Sequence, residues 1–193
     1  MKTANNLSPK DSISIIQEMI EIAKGNIRSR AYYFIIWGYA VLAGCLLHYA
    51  LLKLTDYEKP YQAWLIVLLG FIPATIYSIK QAKSEKIFTH LDRINVFLWV
   101  TFGVSYLIFL VYIAKFNYQI FPLIFLLVGN CVFMSGINLK FKPLIAGGIL
   151  YWVGTIISFY LSLEYLLLLC FVLIIVGYLI PGYMLKNKKE SDV

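Results

Sequence analysis

Six long apolar stretches, residues 31–54, 61–79, 94–114, 119–137, 143–161 and 165–185, leave this chain few ways to fold. In hydrocarbon no water satisfies the peptide groups, so a crossing segment must hydrogen-bond internally, and a helix needs roughly 20 apolar residues to do so. Composition points the same way. Charged residues make up 14% of the chain, whereas a soluble domain carries about 25% and needs them to cover its surface. The expectation is an all-α polytopic membrane protein with six transmembrane helices, paired as three hairpins.

The lysines and arginines then set the orientation, because they collect in short cytoplasmic loops. With the N-terminus inside, the inner segments hold 14 of the 17, against seven acids, and carry +7. The outer loops hold Lys53, Lys59 and Lys115 against Asp56, Glu58 and Glu164, and carry no net charge. A wrong span count would scatter these residues over both faces. Both termini are therefore expected in the cytoplasm. The basic residues suit the anionic lipid of the inner leaflet, at roughly 1 kcal/mol each near the surface. They form no compact groove for nucleic acid, and no such partner is expected. A cleaved signal peptide is not expected either, since the first apolar run starts only near Ala31.

Residues 1–30 read as a cytoplasmic amphipathic leader helix, followed by the 31–185 membrane domain and a basic tail, 186–193. Ser8 is suited to cap the leader, with Pro9 at its first position and Asp11 closing a capping box. At 100° per residue, Ile13, Ile16, Ile20, Ala23 and Ile27 share one half of the wheel with Ile15, Met19 and Ile22. The polar half is nearly neutral and the apolar half has no aromatic anchor, which favours packing on protein over lying on lipid.

Inside the spans the chemistry is sparse. No carboxylate, lysine or arginine stands in the core of any span, so a proton relay or a charged-substrate path has no obvious carrier. Two candidate polar positions remain: Asn130, at mid-depth of the fourth span, and His48, near the outer end of the first. The expected role of Asn130 is an interhelical hydrogen bond, with the lining of a pathway as the alternative. Cys45, Cys131 and Cys170 all fall in apolar runs without metal-ligand spacing and read as packing residues. Catalytic residues, cofactors and metals are expected to be absent, for no nucleophile, zinc or phosphate-binding motif occurs.

Small residues form stripes at helical spacing: Gly70, Ala74 and Ser78 on the second span, and Gly147, Gly154 and Ser158 on the fifth. These should be helix-packing faces. Pro73 and Pro181 should kink their helices. Each hairpin pairs a tryptophan (Trp37, Trp99, Trp152) with a glycine (Gly70, Gly129, Gly177), as a threefold repeat would, and as any hairpins with small packing residues and a basic inner end would too.

The runs FIIWGYAVLAG (34–44) and FKPLIAGGILYWVG (141–154), leading to IPGY (180–183), resemble a family of small six-span bacterial integral membrane proteins to which no activity is attached. The resemblance covers nearly the whole chain and implies a regulatory or stress role. The expected function is accordingly non-enzymatic: an accessory, regulatory or membrane-stress protein that acts through lipid, a membrane partner protein or its own copies. The alternative is a transporter, channel or permease subunit for a neutral or lipidic substrate.

Overall fold

The computed structural model describes residues 9–84, 90–116 and 119–187, with side chains over 30–80, 93–116 and 119–187. The described residues are helical throughout their ordered elements, with no strand among them. Helix α1 is Pro9–Leu54. Helix α2 begins as a 3₁₀ run, Pro60–Gly70, and continues as an α-helix, Phe71–Ser84. Helices α3, α4 and α5 are His90–Val111, Ile120–Asn138 and Lys142–Ser158. Helix α6 runs from Leu163 to Ile174, takes a π-turn over Ile175–Leu179, and ends as Ile180–Lys186.

Five of these helices are long and apolar enough to cross a membrane: Arg30–Leu54, Pro60–Lys80, Arg93–Val111, Ile120–Asn138 and Leu163–Lys186. Helix α5 has 17 residues. That is about 25 Å at 1.5 Å per residue, short of a hydrocarbon layer of about 30 Å. The expected fifth span, 143–161, is cut short because the chain turns at Phe159 and Tyr160.

The backbone of α1 is unbroken for 46 residues. The leader is thus continuous with the first span from Pro9 onward and is not a separate helix. Residues 1–8, the isoleucine stripe of the leader and the tail beyond Asn187 lie outside the described residues and side chains.

Neighbouring helices run antiparallel. Between α1 and α2, Tyr33 pairs with Ser78 at one end (2.8 Å) and His48 with Trp64 at the other (2.9 Å). The register between them follows from helix type. Three 3₁₀ residues rise about 6 Å, as do four α residues. The row Trp64, Val67, Gly70 therefore keeps step with His48, Gly44 and Ala40 along α1. Pro73 lies just beyond the change of helix type at Gly70, where its missing N–H and its ring disturb the preceding turn.

Helices α4 and α5 form the most extensive contact in the bundle. Between them the chain reverses through a Schellman motif: Lys140 N–H bonds Ile137 C=O (3.1 Å) and Phe141 N–H bonds Gly136 C=O (2.8 Å). Lys140 supplies the left-handed residue, at φ 48°. Glycines then let the two backbones meet. A methyl group on Gly148 would lie 2.5 to 2.7 Å from the backbone and Cβ of Phe133, and one on Gly136 would lie 2.6 Å from Ile145 N.

The opposite side of α5 meets α6. The Gly177 carbonyl fills the space where a methyl group on Gly147 would sit, and a methyl group on Gly154 would strike Leu173. Pro181, four residues after Gly177, has no N–H for that carbonyl. The π-turn absorbs the misfit, with Ile180 N–H reaching back five residues to Ile175 C=O. A proline and a glycine thus turn one α6 carbonyl toward α5.

The core includes Phe34, Cys45, Phe125, Val132, Leu144, Leu167, Leu173 and Leu185. Helix α3 touches it mainly through Trp99, which meets Phe34 and Tyr178 edge to face. None of its most apolar stretch is buried, and its Gly103 faces open space. The tryptophans and glycines of the three hairpins meet in different ways. Trp37 lies on Gly70 of its own hairpin, whereas Trp152 lies on Gly129 of the preceding one.

Gly148→Ala is expected to destabilise the bundle by about 1–3 kcal/mol, the usual cost of overpacking against atoms that cannot give way. Gly103→Ala should be nearly neutral. Thermal unfolding in mild detergent reads both, and equal effects would contradict the packing described.

Candidate functional site

The polar groups of the bundle gather at its two ends and at one point midway. At the end reached by the C-terminus of α1, His48 is 3% exposed. Trp64 Nε1–H donates to His48 Nδ1 at 2.9 Å. Indole nitrogen can only donate, so Nδ1 is the bare nitrogen and any proton of the neutral ring is on Nε2. The two rings meet edge to face at 84°, and Trp64 also packs against Phe121 of α4. His48 therefore ties α1 to α2 inside the bundle. One turn further along α1, Lys53 Nζ meets Glu164 Oε2 at 2.6 Å, fastening α1 to the first turn of α6.

The other end of α1 and α6 is bound by aromatic groups. Lys186 Nζ sits 5.1 Å from the ring centre of Tyr32 and 6.0 Å from that of Tyr183. Tyr183 and Tyr39 share a hydrogen bond of 2.9 Å. Tyr33 and Tyr32 both pack on Tyr77. Tyrosine and lysine at this level suit a membrane–water boundary, where an apolar ring and a polar tip are both accommodated.

Asn130 occupies the middle of α4, and its side chain is on the outside of the bundle. Its Oδ1 accepts from Trp152 Nε1–H of α5 at 2.9 Å, which is the interhelical bond expected of it. It lines no interior space. A second carboxamide, Asn95, was not singled out from the sequence because it stands two residues from Arg93 and looks like a helix-end residue. Its Oδ1 accepts from Ser135, a fully buried hydroxyl, at 3.1 Å and joins α3 to α4. Ser135, a hydroxyl within the mostly apolar α4, was the available signal.

The stripe residues all face a neighbour. Gly70 lies against Ala40 and Trp37, Ala74 is buried, and the Ser78 hydroxyl bonds Ala74 C=O at 2.9 Å. On α5, Gly147 and Gly154 face α6 while Ser158 bonds Thr155 C=O at 2.6 Å. The three cysteines are free and buried, and Cys45 donates to Leu167 C=O at 3.2 Å. Among the described residues no three of histidine, cysteine, aspartate and glutamate come together. What this arrangement does chemically is hold helices in register: each polar bond crosses a helix pair or caps a carbonyl of its own helix.

No family model, curated protein or solved structure matches the chain. The resemblance to six-span bacterial membrane proteins thus rests on the motifs at 34–44, 141–154 and 180–183 alone.

Trp64→Phe leaves buried His48 Nδ1 without its donor and is expected to cost about 1–3 kcal/mol. Glu164→Gln opens an ion pair that solvent already screens and should cost less than Trp64→Phe. Unfolding of both variants in detergent checks the ranking; a larger loss from Glu164→Gln would contradict it.

Proposed function

We propose that this chain is a six-span integral membrane protein of the bacterial inner membrane, with both termini in the cytoplasm, that acts without catalysis through protein or lipid partners. The observation that carries the topology is the antiparallel pairing of α1 and α6. Lys53 meets Glu164 at one end, and Lys186 lies over Tyr32 at the other. The N-terminal side of the α1 span and the C-terminal side of α6 lie at one end of the bundle, which supports an even number of crossings. Helix α5 is short, yet it lies along α4 from the Gly136–Ile145 contact past Phe125 and Tyr151. Six crossings satisfy both facts, and the division of charge, +7 against 0, puts the shared face inside.

The functional reading rests on how α5 is enclosed. Its glycines bring it into backbone contact with α4 on one side and α6 on the other. Such contacts close the space a solute would need and favour a protein that transmits or receives contact over one that passes a substrate. The unbroken α1 supports the same reading. It carries the first span into the leader without a break, so a partner held by the leader would be coupled directly to the bundle. An accessory, regulatory or membrane-stress role fits this layout.

Purification of the full chain from membranes in mild detergent tests the proposal. A protein or a lipid class retained in fixed stoichiometry is the expected result. Release of the chain from membranes by alkaline carbonate would overturn its integral placement. Flux of neutral solutes through proteoliposomes containing only this protein would overturn the non-transport reading.

A further inference from the structure

Asn130 is the one carboxamide in the middle of a span, and its environment leaves it half satisfied. Its Oδ1 accepts the Trp152 indole N–H at 2.9 Å. Its Nδ2 carries two donors, and neither has a partner among the described residues. The side chain is exposed on α4, in a row with Leu126, Met134 and Ile137, which are 43%, 48% and 48% exposed. These residues step along α4 by four, four and three, the spacing of one helix face. Thr101, whose hydroxyl is on an outward face of α3, is satisfied by its own helix through Phe97 C=O at 2.8 Å. A carboxamide cannot satisfy both its donors so locally, and in hydrocarbon no solvent does it instead.

We infer that the Leu126, Asn130, Met134, Ile137 face of α4 is the contact surface for a second copy of this chain. The inference rests on α4 lying in the membrane, as proposed above, and on no other part of that reading. A second copy fits for three reasons. Copies inserted by the same charge rule share one orientation, so a two-fold axis along the membrane normal places Asn130 of each at the same depth. A carboxamide is self-complementary: its free N–H donates while its oxygen, which has two acceptor sites, still accepts beside the Trp152 bond. A lone polar residue in an apolar helical row also fixes register and partner number in paired helices. Trp152 holds the Asn130 oxygen in place, so the amide is oriented before the copies meet. Lipid, by contrast, offers chains of methylene at this depth and nothing to bond the amide.

The test uses the full-length protein in membranes, with the three buried cysteines left in place. Leu126→Cys and Met134→Cys, each alone, should give a disulfide-linked dimer on mild oxidation, whereas Val172→Cys on the outer side of α6 should not. In lipid nanodiscs or detergent, light scattering on the wild type should show a dimer that dissociates on dilution. Asn130→Leu should weaken that association about three- to thirtyfold, the range that interhelical polar bonds span. Asn130→Gln, which keeps both donor and acceptor, should retain part of it. A wild type that is monomeric at every protein-to-lipid ratio overturns the inference. So does an Asn130→Leu dimer as tight as the wild type, or cross-linking of Met134→Cys only to a different protein. Should Asn130→Leu fail to fold, the cross-linking pattern on the otherwise wild-type chain decides alone. Extraction by carbonate would instead count against the membrane placement, so the two failures are distinct.

Discussion

Gly147 of α5 and Gly177 of α6 meet backbone to backbone, and the Gly177 carbonyl occupies the place of the missing side chain. That contact has a cause two steps away in the sequence. Pro181 cannot donate to Gly177, the helix opens into a π-turn, and the freed carbonyl turns toward the neighbouring helix. Lipid tails are as apolar as leucine, so burial of apolar surface does not draw membrane helices together; close packing and polar bonds do. Helix α5, with glycines facing α4 on one side and α6 on the other, is where closeness is greatest. The order of the remaining helices follows: α6 lies against α1, α1 against α2, and α4 carries α3 on its far side.

Polar bonds add register to that closeness. Each of His48, Lys53, Asn95 and Asn130 is engaged with a different helix, so every neighbouring pair outside the glycine contact has at least one polar tie or aromatic seat. The bonds are few, and their positions are restrictive. The His48–Trp64 bond works only because the 3₁₀ run of α2 climbs at the pitch that matches every fourth residue of α1. A regular α-helix over Pro60–Gly70 would be about 5 Å shorter, since each residue would rise 1.5 Å instead of 2.0 Å, and Trp64 would fall out of step with His48.

How much of this was written legibly in the sequence differs by kind of feature. The helical class and five helices of membrane-crossing length follow from apolar length, because the hydrocarbon imposes that length on any crossing helix. The stripes Gly70, Ala74, Ser78 and Gly147, Gly154, Ser158 identify packing faces, but not which helix each one faces; that depends on contacts between elements distant along the chain. Helix type was illegible. Pro60 and Pro73 hint at irregularity in α2, yet neither points to eleven residues of 3₁₀, a length that local preference rarely gives. Asn130 was found by its cost in hydrocarbon, while its outward position was invisible, because composition shows depth along a helix and not direction around it. The fifth span was overestimated by three residues for a similar reason: Phe159, Tyr160 and Leu161 are apolar enough to continue a span, and the turn that ends it is set by tertiary fit.

The central claim is that α1 and α6 are antiparallel neighbours, which sets the frame for every other helix. The direct measurement is cross-linking in intact membranes of the double variant Lys53→Cys, Glu164→Cys with a short bifunctional thiol reagent. Lys53 and Glu164 lie together, while Tyr183 is at the opposite end of α6. The account predicts efficient intramolecular linkage of Lys53→Cys to Glu164→Cys and none of Lys53→Cys to Tyr183→Cys. Linkage to position 183 instead of 164 would contradict it.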